Sequence, residues 1–202
     1  MSTARDLRPT WAEIDREAFS RNVDSIAKRL PRGSQLIAVL KGDAYGHGAV
    51  ELAKLCTPDR VAMIATALLE ESLELRRAGI ELPLLVLGPL TETQIRIALD
   101  QRITMGVVGP EELELVCRVA RDRDVAIHLK LDTGMGRMGV TESELPRVVE
   151  MEHGRFGAIP SSHLGGIGLD LVAAISAPDD QPDLVRGGGA ERHRWAGLGF
   201  HI

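Results

Sequence analysis

The amino-acid sequence predicts an α/β protein whose parallel strands and helices are arranged as a (β/α) barrel. Short apolar runs recur between Leu36 and Leu131, and segments with helical periodicity separate them. The first run, residues 36–40, lacks the polar alternation of a half-exposed strand, which indicates a parallel strand buried on both faces. Repeated strand–helix units favour a barrel over an open doubly wound sheet. The predicted strands are residues 36–40, 61–65, 84–87, 103–108 and 125–131.

Capping residues and apolar spacing predict the helices. Asp15 can cap a helix that runs to about Leu30, with apolar side chains at intervals of three to four on one face. Two further helices are expected at residues 48–55 and 68–79. Others are predicted to begin at a capping box or at a proline followed by glutamates, namely at Thr91–Gln94, Pro110–Glu112 and Thr141–Glu144.

Composition describes an ordinary globular protein. The chain has 202 residues, of which 44% are hydrophobic and 26% charged, enough for one domain with a sizeable core. A net charge of −5 gives no indication of nucleic-acid binding. No signal segment opens the sequence and no apolar stretch is long enough for a membrane, so we expect a cytoplasmic protein. Cys56 and Cys117 lack CxxC spacing and are expected to be buried thiols, neither a disulfide nor a metal pair.

The segment QLIAVLKGDAYGHG, residues 35–48, carries the first candidate site. Lys41 follows an unbroken apolar run and therefore lies at the carboxyl end of a buried strand, where α/β enzymes place their chemistry. A lysine there can be merely solvated, or its amine can attack a carbonyl cofactor. The glycines that follow allow backbone N–H groups to approach a phosphate, and Tyr45, the only tyrosine, adds a phenol. Together these features suggest pyridoxal phosphate.

The segment HLKLDTGMGRMGV, residues 128–140, carries the second group of candidate site residues. Alternation along the strand puts His128, Lys130 and Asp132 on one face, which we expect to be the barrel interior. Buried charges need partners, and the glycines that follow can turn the chain so that Arg137 lies over the barrel mouth. The alternative is an inward ion pair of Arg137 with Asp132 or a neighbouring residue, which would serve only the structure.

These two motifs, AVLKGDAYGHG and KLDTGMGRMG, resemble the signatures of bacterial alanine racemases, and the opening RPTWAEID is similar too. The resemblance implies a pyridoxal-phosphate enzyme in which Lys41 forms the Schiff base and acts as a catalytic base, and Tyr45 binds the phosphate. It also implies that Arg137 contacts the phenolic oxygen of the cofactor and that Lys130, often carbamylated in the family, supports that arginine. For His47, hydrogen bonding to the loop backbone is at least as good an interpretation as direct catalysis.

The resemblance is uneven along the chain. Residues 8–158 match well, residues 159–197 diverge, and residues 199–202 are similar again. In the divergent part, His163 stands where the family has a histidine that stacks on the pyridine ring, although a loop histidine is the alternative. The family's last barrel strand and its C-terminal β domain are not found in residues 1–202. We therefore expect a (β/α)8 TIM-type barrel in incomplete form, and a shifted reading frame would explain the divergent part.

Three functions follow from this reasoning. The first is alanine racemisation, which would supply D-alanine for peptidoglycan, and the resemblance implies a homodimer. The second is a catalytically inactive truncated fragment that at most binds pyridoxal phosphate. The third is a single-domain cofactor carrier with the same barrel. The presence or absence of a second catalytic base distinguishes the active racemase from the inactive fragment. The family uses a tyrosine of the C-terminal domain as that base, and the single tyrosine here, Tyr45, is already assigned to the phosphate.

Overall fold

The computed structural model describes residues 12–31, 34–121, 123, 125–132, 134–148 and 150, together with the backbone of 194–198. Six strands in this part of the chain form one parallel sheet: β1 (Ser34–Val39), β2 (Met63–Thr66), β3 (Leu84–Val86), β4 (Thr104–Val107), β5 (Ile127–Leu129) and β6 (Arg194–Leu198). Their order across the sheet is β5-β4-β3-β2-β1-β6.

One helix precedes β1, and further helices connect the successive strands in the manner of a barrel. They are α1 (Arg16–Ala27), α2 (Ala49–Ala53), α3 (Leu69–Arg77), α4 (Glu92–Asp100) and α5 (Pro110–Ala120). From β1 to β5 each strand pairs in parallel with the next strand along the chain, with a helix in each connection. This curled parallel sheet is part of a TIM-type barrel, so the predicted fold class is confirmed.

The strands bury side chains on both faces of the sheet. One face packs against the helices in a large apolar cluster that includes Leu36, Ile64 and Val86. The other face, the barrel interior, has a smaller cluster made of Ile37, Met63, Ala65 and Leu85, with Val39 and Leu87 against it. Because successive residues of a strand face opposite ways, Lys41 continues the interior row that contains Ile37 and Val39. The sheet therefore directs the residue after β1 towards the barrel mouth.

Local signals in the sequence form much as expected. Asp15 caps α1, since its Oδ1 accepts from the amide of Ala18 at 2.9 Å. The capping box of Thr91 and Gln94 is present at the start of α4, and Pro110 opens α5. The predicted helix of residues 68–79 begins one residue later, and Leu68 lies on the surface with 58% of its area exposed.

The strands β2 to β5 are shorter than the runs that predict them, whereas β1 has six residues and its predicted run has five. The largest difference is in β5, expected over residues 125–131 and observed over Ile127–Leu129. Leu131 instead forms an isolated bridge with Val140, because the chain turns back on itself after β5. Cys56 is buried as expected, whereas Cys117 is partly exposed, and both are free thiols. The prediction for residues 159–197 lies outside the described residues, apart from β6.

Candidate functional site

Lys41 lies at the carboxyl end of β1. Sheet pairing continues to Leu40, whose amide donates to the carbonyl of Ala65 at 2.9 Å, and then stops. The Lys41 side chain is half-buried, between the apolar barrel interior and solvent. This is the position that the sequence predicts for it, and it is the end of a parallel sheet at which ligands bind.

The chain then makes one turn of left-handed helix, which we call the left-handed turn and which comprises residues 42–45. The φ and ψ angles are 61° and 44° at Gly42, 53° and 47° at Asp43, 54° and 46° at Ala44, and 56° and 36° at Tyr45. Each non-glycine residue in this conformation costs roughly 1–2 kcal/mol, and runs of such residues are rare. Three of the four residues are not glycine, so contacts elsewhere must hold the turn.

Those contacts come from both sides of the left-handed turn. The Ala44 side chain is buried, with 4% of its area exposed. Oδ1 of Asp43 accepts from the amide of Ala49 at 2.7 Å, and the Asp43 carbonyl accepts from Gly48 at 2.9 Å. The amide of Gly42 donates to Oε1 of Glu71 at 2.5 Å, a contact that spans 29 residues of sequence. Local and long-range hydrogen bonds together offset the conformational cost.

The left-handed turn brings Tyr45 back to Lys41. The Lys41 ammonium lies 5.9 Å from the centroid of the Tyr45 ring, within the range of a cation–π contact. The phenol itself is open to solvent, since 47% of Tyr45 is exposed. An amine and a phenol that a ligand can reach are therefore neighbours at the barrel mouth.

His47 is held by the loop backbone. Its Nδ1 lies 2.9 Å from the carbonyl oxygen of Ala44, and its amide donates to the same carbonyl at 3.1 Å. His47 and Tyr45 also line a cavity of about 650 Å³ between α1 and the end of β1. Lys41 is not part of that lining, so the geometry agrees better with a structural role for His47 than with direct catalysis.

Lys130 follows β5 on the interior face and shares an electrostatic environment with two other cations. Burial lowers the pKa of Lys130 below its ordinary value, and the positive charges of Arg137 and Lys41 lower it further, while Asp132 opposes the shift. A lowered pKa means that more of this amine is neutral at a given pH. The carboxyl ends of β1 and β5 thus bring the lysines of both motifs into one electrostatic field.

The loop of residues 132–139 positions Arg137. Oδ1 of Asp132 accepts from the amides of Gly134 at 2.9 Å and Gly136 at 3.0 Å, and these hydrogen bonds lower the pKa of the Asp132 carboxyl. Asp132 therefore organises the loop through the backbone and not through the ion pair with Arg137 that the sequence suggested. The Arg137 side chain is exposed at the mouth.

One contributor is missing from the sequence-based prediction, and one predicted residue is not described. Glu71 contacts the residue next to Lys41, yet in the sequence it is an ordinary first-turn glutamate of a helix, and no local signal identifies it. His163 lies outside the described residues, so its placement stays a prediction. In the part of the chain that is described, no helix is long and apolar enough to cross a membrane.

The fold defines a barrel protein of the α/β class, and the two lysine-bearing motifs lie at the carboxyl ends of β1 and β5 as a candidate ligand site. A family model described as "Alanine racemase, N-terminal domain" matches residues 14–168. Because that match covers most of the chain, the chain belongs to the alanine racemase family.

Individual relatives agree with the family match. The chain is 39% identical to alanine racemase 1 of Bacillus subtilis over 150 residues. These aligned residues make up 74% of this chain and 39% of that protein. It resembles the crystal structure of alanine racemase from Bacillus anthracis with bound L-Ala-P at a TM-score of 0.66 and 36% identity, over 73% of this chain and 39% of the other.

A racemase named for a different amino acid is also similar. Histidine racemase from Leuconostoc mesenteroides matches with a TM-score of 0.63 and 25% identity, over 71% of this chain and 39% of that one. The chain thus spans about two-fifths of the length of these relatives.

Proposed function

We propose that this chain is the cofactor-binding barrel of an alanine racemase, acting in the pyridoxal-phosphate-dependent interconversion of L- and D-alanine. The observation that carries the proposal is the placement of Lys41 at the carboxyl end of β1, with the Tyr45 ring 5.9 Å from its Nζ. A lysine amine can bind an aldehyde cofactor covalently, and a neighbouring phenol can donate a hydrogen bond to its phosphate.

The side chains present at the barrel mouth fit pyridoxal phosphate. Lys41 would hold the cofactor covalently through Nζ, and the exposed phenol of Tyr45 would donate to its phosphate. Arg137 would face the phenolic oxygen, because the turn after β5 carries it to the mouth. We extend the proposal to His163 as a residue that stacks on the pyridine ring, and to residues 8–158 as the barrel part that matches the family.

When bound, the cofactor supplies an electron sink that stabilises negative charge at the substrate Cα. Within this chain the base that takes or returns the Cα proton would be Nζ of Lys41. The backbone on either side of Lys41 is fixed by β1 and by the left-handed turn, so its amine has a narrow range of approach. A fixed approach favours proton transfer on one face of the substrate.

Lys130 would carry a carbamate that supports Arg137. Its pKa is lowered by burial first and then by Arg137, so a neutral amine able to capture carbon dioxide is available. The resulting anion would relieve the repulsion among Lys130, Arg137 and Lys41. The charges around Lys130 support this role, and a carbon-13 carbamate signal that disappears in Lys130→Met would test it.

Alanine is the substrate that the similarities favour. The relatives at 36–39% identity are named alanine racemases, whereas the histidine racemase is 25% identical. The reaction would supply D-alanine for peptidoglycan in the cytoplasm, and we expect a homodimer as the working form. No charge surplus favours a nucleic-acid partner, since the net charge is −5.

An absorption spectrum after addition of pyridoxal phosphate tests the cofactor site. We expect a band of bound cofactor in the parent, and borohydride should fix one cofactor per chain on the peptide that contains Lys41. Lys41→Ala should abolish both, whereas Lys54→Ala, an exposed lysine paired with Glu51 at 2.6 Å, should leave both unchanged. Labelling that does not depend on Lys41 would contradict the proposal.

Turnover by the 202-residue chain alone is a separate measurement. We expect it to bind the cofactor without racemising alanine, because one base, Lys41, is assigned and the single tyrosine is committed to the phosphate. Alanine racemisation that is abolished by Lys41→Ala would show that a second base is present and would exclude the alternative of an inactive fragment.

A further inference from the structure

We propose that Glu71 is a positioning residue of the Lys41 site, and that its carboxylate holds the left-handed turn and hence the placement of Tyr45 beside Lys41. The inference rests on the proposed function in one respect only, the identity of the ligand that Lys41 binds. The hydrogen bonds of Glu71 stand independently of that ligand.

The Glu71 carboxylate connects two neighbouring loops at the barrel mouth. Its Oε1 accepts from the amide of Gly42 at 2.5 Å, in the connection after β1. Its Oε2 accepts from the amides of Ala67 at 2.8 Å and Leu68 at 3.0 Å, in the connection after β2. Glu71 itself lies in the first turn of α3, at the third helical position. One side chain therefore ties the start of the left-handed turn to a rigid helix.

The bond to Gly42 acts directly on Lys41. The amide N–H of Gly42 belongs to the same peptide plane as the carbonyl of Lys41, so fixing that N–H fixes the orientation of the plane. The orientation of this plane sets the direction in which the chain leaves Lys41 and enters the left-handed turn. A hydrogen bond to an ionised carboxylate is stronger than one between neutral groups, which suits a segment with several costly residues.

A carboxylate is required because three donors share two acceptor oxygens. Glutamine offers one acceptor oxygen, and its amide nitrogen is a donor that cannot face another N–H. Glu71→Gln must therefore lose either the hydrogen bond from Gly42 or the two hydrogen bonds from Ala67 and Leu68. Aspartate keeps the charge but is one methylene shorter, so it can serve the near amides of Ala67 and Leu68 without reaching Gly42.

The fold contains a matched control. Glu112 also lies third in its helix, α5, and its two oxygens accept from Leu90 at 3.1 Å and Val108 at 2.8 Å. It thus connects the loops after β3 and β4 in the same way that Glu71 connects those after β1 and β2. The contacts of Glu112 do not include the left-handed turn, so Glu112→Gln reports the general effect of losing such a connection.

Amide hydrogen exchange of the full 202-residue chain tests the inference. We expect residues 42–45 to exchange about tenfold faster or more in Glu71→Gln than in the parent, as loss of one charge-assisted bond implies. Glu112→Gln should leave exchange in this segment unchanged. Borohydride trapping of pyridoxal phosphate on Lys41 should slow by a similar factor in Glu71→Gln only.

Glu71→Asp is a second variant that tests the reach of the Glu71 side chain. Glu71→Asp should fold, retain exchange protection at Ala67 and Leu68, and show fast exchange at residues 42–45. Equal exchange of residues 42–45 in Glu71→Gln and Glu112→Gln, or parent-like protection in Glu71→Asp, would overturn the inference. A parent chain that traps no cofactor would refute the proposed function, while the exchange comparison would still decide the role of Glu71.

Discussion

The carbonyl oxygen of Lys130 accepts a hydrogen bond of 2.7 Å from the amide of Val140. The amide of Asp132 returns a bond of 2.9 Å to the Val140 carbonyl, so both ends of the loop meet in a short parallel bridge. The loop between them, which carries Arg137, is therefore closed at its base and capped by Asp132. This closure fixes both ends of the segment that carries Arg137.

Gly139 is the residue that permits the closure, and its replacement by alanine is predicted to destabilise the chain. A Cβ there would lie 2.6 Å from the Asp132 nitrogen and 2.8 Å from the Leu131 carbonyl carbon, at a φ of +140°. Backbone cannot move aside cheaply, so we expect a loss of about 2 kcal/mol or more in the free energy of unfolding. Urea unfolding followed by circular dichroism measures it.

Gly136→Ala is the matched control for that prediction. Gly136 also has a positive φ, +66°, but a Cβ there would meet nothing within 4 Å. Only the conformational cost applies, about 1 kcal/mol. If Gly139→Ala were no more destabilising than Gly136→Ala, the close contact with Asp132 would not exist.

Glu112 should give the chain a pH-dependent stability of known sign. Burial raises the pKa of the Glu112 carboxyl above its ordinary 4.5, although the amides of Val108 and Leu90 oppose the shift. The folded state then binds the proton more tightly than the unfolded chain does. Its contribution to the free energy of unfolding is therefore largest at low pH and falls as pH rises from 4.5 through the folded pKa.

Unfolding measured at several pH values checks this sign. Relative to Glu112→Gln, the parent should lose stability as pH rises from 4.5. The control is Glu111→Gln, at the exposed neighbour that pairs with Arg147 at 2.9 Å. The free energy of unfolding of Glu111→Gln, taken relative to Glu112→Gln, should change with pH in the same way as that of the parent. A parent-to-variant difference that grows with pH would mean that the two amides outweigh burial.

The two cysteines should react with a thiol reagent at very different rates. Burial raises the pKa of the Cys56 thiol to about 11, against the opposing charge of Arg60. At pH ~8 only about one Cys56 in a thousand is then the reactive thiolate. Cys117 is partly exposed, so one thiol per chain should react quickly and the second only on unfolding. A rapid phase that survives in Cys117→Ala would contradict this assignment.

Those parts of the fold that depend on short-range rules were predictable from the sequence. Asp15 and Thr91 cap their helices because an oxygen near a free amide satisfies it whatever the rest of the fold does. Apolar runs mark the strands because both faces of the sheet are buried, but they overestimate the lengths of β2 to β5. In β5 the apolar run continues to Leu131, which bonds outside the sheet, because pairing depends on neighbours and not on polarity.

The left-handed turn was not predictable in the same way. Its sequence, GDAY, has one glycine, and three ordinary residues would be expected to avoid positive φ. Burial of Ala44 and the bond from Gly42 to Glu71 impose the conformation, and both arise from packing of distant segments. The sequence could therefore identify Lys41 and Tyr45 as candidate site residues. It could not predict the geometry that brings them together or the part of Glu71 in it.

Tyr45→Phe separates the two roles that the geometry gives to this side chain. The ring that lies 5.9 Å from Lys41 is kept, and only the exposed hydroxyl is lost, so stability should be nearly unchanged. If the phenol donates to the cofactor phosphate, affinity for pyridoxal phosphate should fall about tenfold, the worth of one hydrogen bond to a charged group. Affinity for pyridoxal, which has no phosphate, should be the same in parent and variant when both are measured by absorption titration. Equal losses for both ligands would mean that Tyr45 acts through Lys41 and not on the phosphate.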